Sequence, residues 1–178
     1  SISAFNNAGF SLFSDSLATE GNAFLPAVRW VIALLIILGG IGFGTLSDVL
    51  SQPWRNQPLS RSWRGLRLGT KIGLTVAGIL LMTGGVILSL TLGYNSDMGT
   101  HISASFFQSI TARTAGFNTI DIGAMAMPAL LFMMFLMFVG GGSGSTAGGI
   151  KTSTFALVFL SAYATIRGKK DINLYKNK

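Results

Sequence analysis

Thr111-Ala112-Arg113-Thr114-Ala115-Gly116-Phe117-Asn118 decides how this chain is read, because a version of it already stands at the start, as Ser1-Ile2-Ser3-Ala4-Phe5-Asn6-Asn7-Ala8-Gly9-Phe10-Ser11. Laying Ser1 on Ser109 matches Ser-Ile and pairs Ala4 with Ala112, and Ala-Gly-Phe recurs in full. A repeat outranks local pattern, since missing one misassigns the whole fold. The second copy lies between two long apolar segments, where irregular backbone is expensive: an unpaired amide in hydrocarbon costs several kcal/mol, so non-helical chain survives only inside protein or against a water-filled cavity. A short glycine-containing stretch at that depth predicts a re-entrant pore element. The alternative is an ordinary extracellular loop whose similarity is chance.

Composition agrees with a membrane setting. The 178 residues are 49% hydrophobic and only 11% charged, against about 25% charged in soluble domains, and the mean hydropathy is +0.57. The 23 glycines follow no collagen-like period, and membrane helices use glycine to bring backbones close. With no cysteine, disulfides and thiolate sites are excluded. One histidine and six scattered acids supply no nucleophile–base pair, metal cluster or carboxylate dyad, so an enzyme is not expected. No signal peptide is visible, and the chain opens inside a motif, as a fragment does.

Val28 to Leu50 reads as one continuous apolar span opened by Leu25-Pro26, and its 23 positions at about 1.5 Å each suffice for a hydrocarbon core of about 30 Å. Gly40 and Gly44 form a GxxxG there, read as a packing face in preference to a hinge. Gln52 to Lys71 then carries five Lys and Arg with no acid, plus Trp54 and Trp63. Short basic loops stay cytoplasmic and Trp anchors at the interface, which argues against a nucleic-acid patch and for a cytosolic connector. The tail repeats that character with Arg167, Lys169, Lys170, Lys176 and Lys178, whereas Asp15, Glu20, Asp97 and His101 mark the outer side, Arg29 excepted.

Thr70 to Leu92 reads as a second span, Tyr94-Asn95-Ser96 as a polar break, and Asp97 to Ile110 as a half-helix too short to cross, with Ile102, Phe106, Phe107 and Ile110 at helical spacing. Its C-terminal end meets the motif, and the negative end of a helix dipole favours a cation. His101 reads as a surface or interface histidine in preference to a metal ligand. Met127-Pro128-Ala129 opens a third span and repeats Leu25-Pro26-Ala27. Gly140-Gly141-Gly142-Ser143-Gly144-Ser145-Thr146-Ala147-Gly148-Gly149 interrupts that span before Ile150 to Ile166 resumes it. Gly144 to Thr152 nearly matches a phosphate-binding GxxxxGK[ST], but Ile150 stands where Lys is required. A span broken at mid-membrane must face protein or an aqueous path. The break therefore reads as a mobile constriction, with a static packing loop as the bland alternative.

The fold class is thus an all-α membrane protein of repeated units, each a span, a pore half-helix, a filter and a span, the last span broken by the glycine-rich intramembrane loop. Residues 1–50 hold the filter and second span of one unit, 51–69 the basic cytosolic connector, 70–167 a complete unit, and 168–178 a basic cytosolic tail. A cation pore surrounds its ion with carbonyl oxygens from several such units, and two filters furnish half a ring.

Asn7-Ala8-Gly9-Phe10, Thr114-Ala115-Gly116-Phe117-Asn118 and above all the run from Gly140 to Thr152 resemble the Trk/Ktr/HKT superfamily of potassium transporters, in particular its bacterial Ktr-type membrane subunits. The resemblance covers essentially the whole chain, as the end of repeat two and all of repeat three of four. It implies filter glycines at Gly9 and Gly116, and potassium-coordinating carbonyls on Asn7, Ala8, Thr114 and Ala115. It also implies an intramembrane gate at Gly140–Gly149, a homodimer, and a cytosolic nucleotide-sensing RCK ring as partner. K+ is the implied cargo at the filter, Na+ a modulator, and nucleotide acts only through the partner subunit. Neither filter is a full TVGYG, which favours cation selectivity over strict potassium selectivity. Arg113 reads either as a filter-backing residue paired with Asp121 or as a side chain snorkelling outward. Lys151 reads either as an electrostatic tuner below the gate or as a contact to cytosolic carbonyls. Two competing functions stay open at this stage: a non-conducting membrane assembly subunit, and a carrier that binds solute at the broken helix.

Overall fold

A chain so rich in unbroken apolar runs has to satisfy its amides within helices, and the computed structural model, which describes residues 2–11, 25–51, 59–92 and 98–168, is helical throughout. Among these residues eight α-helices follow in order: α1 Ile2–Phe5, α2 Leu25–Ile41, α3 Phe43–Leu50, α4 Leu59–Gly65, α5 Leu68–Thr91, α6 Met98–Thr111, α7 Met127–Phe138 and α8 Thr152–Ile166. Among the described residues there is no strand, only an isolated bridge between Val139 and Ile150. The polar stretch Asp15 to Glu20, the break Tyr94-Asn95-Ser96, Pro53, Trp54, Arg55 and Pro58 of the connector, and the tail from Lys169 lie outside the described residues.

The central span is α5. Its 24 residues at about 1.5 Å each make roughly 36 Å, enough to cross a bilayer. Its hydroxyls are absorbed by its own backbone: Thr75 Oγ1 donates to Lys71 O at 2.8 Å, Thr83 to Ile79 O at 2.7 Å and Thr91 to Ile87 O at 2.8 Å. Such back-bonding lets polar residues sit in a helix bathed by lipid. Ile79, Met82, Val86 and Leu90 leave it outward and exposed, as do Leu131 and Met134 on α7 and Val158 and Phe159 on α8. Contiguous apolar surface of that kind belongs against lipid or further protein.

α6 packs along α5 where side chains vanish. A Cβ on Gly84 would collide with Ser109 Oγ, and one on Gly85 would lie 2.6 Å from the Phe106 ring. Ser109 Oγ in turn donates to Leu81 O at 3.1 Å. The half-helix ends one residue later than its sequence reading, at Thr111, and its C-terminal part, Phe107 to Thr111, is buried whereas Met98 to Thr100 are exposed. His101 Nε2 lies 2.9 Å from Ser89 O, an interhelical contact, and among the described residues no cluster of potential metal ligands exists. Two apolar clusters follow. One joins α5, α7 and Ala112 around Leu88, Ala129, Met133 and Leu136; the other joins α1, α2 and α6 around Ala4, Ile36, Phe107 and Ala115.

Two expectations are corrected. Val28 to Leu50 is not one straight helix: at Gly42, which has φ +90°, the axis turns by 96° between α2 and α3. Nor does the Gly40/Gly44 pair form a packing face. Among the described residues, a Cβ on Gly44 would meet nothing within 4 Å and one on Gly40 only Asn7 Nδ2 at 4.0 Å. The crowded glycines are Gly39, against Phe5 O, and Gly42, against Ser143 O. The connector contains α4, whose Arg64 carbonyl accepts from Lys71 Nζ at 2.9 Å, while Asp48 Oδ2 accepts from Arg67 N at 2.9 Å.

Candidate functional site

The two copies of the opening motif adopt one backbone. Asn7 and Gly9 have φ +50° and +73°, and Thr114 and Gly116 have φ +69° and +79°. Left-handed backbone is routine for glycine, tolerated by Asn, and uncommon for a β-branched Thr. The pattern pairs Asn7 with Thr114 and Gly9 with Gly116, an offset of 107, although the half-helices before them match at 108. One shared hydrogen bond shows where the extra residue goes. Ser3 Oγ accepts from Phe10 N at 2.8 Å, and Thr111 Oγ1 accepts from Phe117 N at 2.9 Å. A hydroxyl of the helix before each motif, Ser3 in α1 and Thr111 at the end of α6, holds the amide after each glycine, and the first copy absorbs one more residue between Ser3 and Asn7.

These segments abut. A Cβ on Gly9 would lie 3.0 Å from Ala115 O and 3.1 Å from Gly116 Cα, and one on Gly116 would lie 3.0 Å from Gly9 Cα. Positive φ and this approach together require glycine at both positions. The buried C-terminal half of α6 leads straight into the second segment, which places the negative end of its dipole there.

The glycine-rich run from Gly140 to Gly149 leaves the helix after Phe138 and returns to it at Thr152. Its ends are laced together: Gly140 N donates to Ile150 O at 3.0 Å, Ile150 N to Phe138 O at 3.0 Å and Thr152 N to Gly141 O at 3.0 Å. Lys151 Nζ donates to Ala147 O at 2.7 Å, so this lysine braces the loop itself. Glycine is needed at 140, 141 and 142 because the loop is wedged between backbones: a Cβ on Gly140 would strike Gly148 O, one on Gly142 Ile41 O, and one on Gly141 would sit 2.6 Å from Gly40 O.

The loop meets the rest of the site through two sets of hydrogen bonds. Toward the bend, Gly142 N donates to Gly40 O at 2.7 Å and Phe43 N to Gly144 O at 3.3 Å. Toward the motifs, Thr146 Oγ1 accepts from Asn7 Nδ2 at 3.0 Å, with Phe5 O at 3.2 Å and Gly39 O at 3.3 Å in reach of its proton, and Gly148 N donates to Thr114 Oγ1 at 2.8 Å. Phe5, Gly39 and Gly42 are site residues that sequence reasoning missed. The signal was available in the density of glycine at 39, 40, 42 and 44, more than a packing face uses.

A cavity of about 620 Å³ lies beside the loop, with Gly40, Gly73, Ala77, Gly142, Ser143 and Arg113 in its wall. Asp121 accepts from Gly123 N at 2.9 Å and makes no pair with Arg113, whose Nε is buried without a hydrogen-bond partner among the described residues.

The chain is similar to potassium uptake proteins along its whole length. It is 44% identical to the Ktr system potassium uptake protein B of Vibrio alginolyticus and 42% identical to that of Bacillus subtilis, over 99% and 98% of this chain. It is 38% identical to the potassium/sodium uptake protein NtpJ of Enterococcus hirae over 94% of this chain. It spans 38%, 38% and 36% of the length of these relatives. In fold it matches the crystal structure of the potassium transporter TrkH from Vibrio parahaemolyticus, with a TM-score of 0.71 at 18% identity over 99% of this chain and 36% of that one. These relatives are transporters and not enzymes, and the protein is a membrane protein like them. With the TrkH family model, described as cation transport protein, matching residues 1–178, the chain belongs to that family.

Proposed function

We propose that this chain forms half of a membrane pathway for potassium and related monovalent cations, with Asn7, Ala8, Gly9, Thr114, Ala115 and Gly116 as the filter and Gly140–Gly149 as the gate. The observation that carries the reading is the twice-used backbone, left-handed at Asn7 and Gly9 and again at Thr114 and Gly116, in two abutting segments. Carbonyls presented by such segments can replace the hydration shell of an ion. No bond chemistry is involved, and the ion moves down its electrochemical gradient. The names of the Ktr relatives support potassium as cargo, and that of the Enterococcus hirae relative supports sodium as a second ion.

In this reading 1–50 and 70–167 are the two pore units, and 51–69 and the tail 168–178 lie in the cytosol. The loop obstructs the path until it is displaced, which suits a ligand-driven partner such as an RCK-type ring that senses nucleotide. A second copy of the transporter completes a homodimer. Rubidium uptake by the intact transporter, competed by potassium or sodium, tests the filter. Gly116→Ser removes the glycine that the positive φ and the Gly9 contact demand, so potassium-over-sodium preference falls about tenfold or more while membrane insertion persists. Unchanged discrimination by an inserted Gly116→Ser protein overturns the assignment.

A further inference from the structure

We infer that the glycine-rich loop is two devices in sequence: its Thr146–Gly148 end is a latch that holds both filter segments in their ion-selecting shape, and only its Gly142–Gly144 end belongs to the moving part. This rests on the filter reading above and goes beyond it by assigning a selectivity-positioning role to Thr146 and to the side chains of Asn7 and Thr114.

The equivalence of the two latches carries the argument. Asn7 and Thr114 are the corresponding residues of the two motifs, each two positions before its filter glycine and each left-handed. Each turns its side chain to the same short stretch of loop, Asn7 Nδ2 to Thr146 Oγ1 at 3.0 Å and Thr114 Oγ1 to Gly148 N at 2.8 Å. A β-branched residue does not adopt φ +69° unaided, so the surrounding contacts must over-determine it. Among the described residues, the Gly148 amide is the polar partner of the Thr114 hydroxyl. On the first segment, Thr146 Oγ1 also lies 3.2 Å from the Phe5 carbonyl, so one hydroxyl holds the filter from its backbone and from its side chain. Among the described residues, the other end of the loop makes no hydrogen bond to either filter. Gly142 and Gly144 bond instead to the α2–α3 bend at Gly40 and Phe43. Displacing that end breaks two bonds to the bend and leaves the filter latches closed, so opening and selectivity reside in different residues of one loop.

The test uses the intact transporter with its regulatory partner and reads rubidium uptake under potassium and sodium competition. Thr146→Val and Thr114→Val, which keep shape and remove the hydroxyl, should each lower potassium-over-sodium preference about fivefold, the scale of one hydrogen bond. Thr146→Ser and Thr114→Ser should restore it, and dependence of flux on the partner should persist throughout. Asn7→Ala combined with Thr146→Val should be no worse than the more damaging single change, because both remove one bond. If the Val variants keep wild-type preference and instead alter only total flux or partner dependence, the latch is wrong. Additive losses in the double variant likewise sink the Asn7–Thr146 pairing. Should Thr114→Val fail to insert, Thr146→Val tests the same claim from the loop side. Gly116→Ser separates the two levels: if it lowers preference while the Val variants do not, only the latch fails, and if it too has no effect the filter reading fails with it.

Discussion

Gly42 shows how one residue can turn a helix. Its φ of +90° and ψ of 143° lie where only glycine is at ease, and a side chain there would run into Ser143 O. Gly42→Ala should therefore destabilise the transporter by about 1–3 kcal/mol, the usual cost of forced backbone. Two residues on, Gly44 sits in α3, where a methyl group in place of its hydrogen would meet nothing within 4 Å among the described residues. Gly44→Ala should thus be neutral or stabilising by up to about 1 kcal/mol through helix propensity. Thermal melts of the detergent-solubilised protein decide it; equal behaviour of the two variants would mean that the bend does not depend on Gly42. Sequence could not separate these glycines, since Gly39, Gly40, Gly42 and Gly44 differ only in what lies across from them. Their partners come from Phe5 and from Ser143, distant in the chain, and spacing alone favoured Gly40 with Gly44. Gly9 and Gly116 were legible because the chain repeats them, and Arg113 was not, because its fate depends on a cavity wall contributed by four helices.

Helices were the most legible level. α5, α6, α7 and α8 follow from apolar length, from the polar break before Met98, from Pro128 in the first turn of α7, and from the glycine run that no helix can hold. The equivalence of Leu25-Pro26 with Met127-Pro128 is also kept, each pair opening a helix. What sequence did not disclose was which face of α5 receives the half-helix, because glycines at 73, 78, 84 and 85 look alike along a uniformly apolar helix. Contact settles it: among the described residues a Cβ on Gly84 meets Ser109 and one on Gly78 meets nothing within 4 Å. Gly84→Val should push α6 off α5 and cost about 1–3 kcal/mol, as overpacking does. Gly78→Val should be close to neutral, since valine and glycine differ little in helix propensity. A lowered melting temperature for Gly84→Val with potassium preference impaired, and neither for Gly78→Val, is the expected pair of results. The reverse order would place the half-helix on another face of α5.

At the scale of the molecule the loop joins everything that sequence could only place in order. It touches the α2–α3 bend through Gly40 and Phe43, and both left-handed segments through Asn7 and Thr114. Deleting Gly141 to Gly148 is structurally permissible because the ends already meet: Val139 bridges Ile150, and Gly140 and Ile150 exchange hydrogen bonds with each other's neighbourhood. α7 and α8 can therefore keep their places with the wedge removed. If the loop is the obstruction, the deletion should raise potassium flux severalfold and free it from the cytosolic partner. If Thr146 and Gly148 also latch the filters, the faster flux should be less selective, with sodium competing for rubidium uptake at least about fivefold better than in the wild type, one lost hydrogen bond's equivalent. Substitution at the bend side alone, by contrast, should change flux without that loss. A deleted protein that inserts normally and conducts at the wild-type rate under full partner control would make the loop a packing element. One that conducts faster but discriminates as before would leave the gate standing, and would move the filter's support away from the loop to the half-helix hydroxyls Ser3 and Thr111, which hold the amides after each filter glycine.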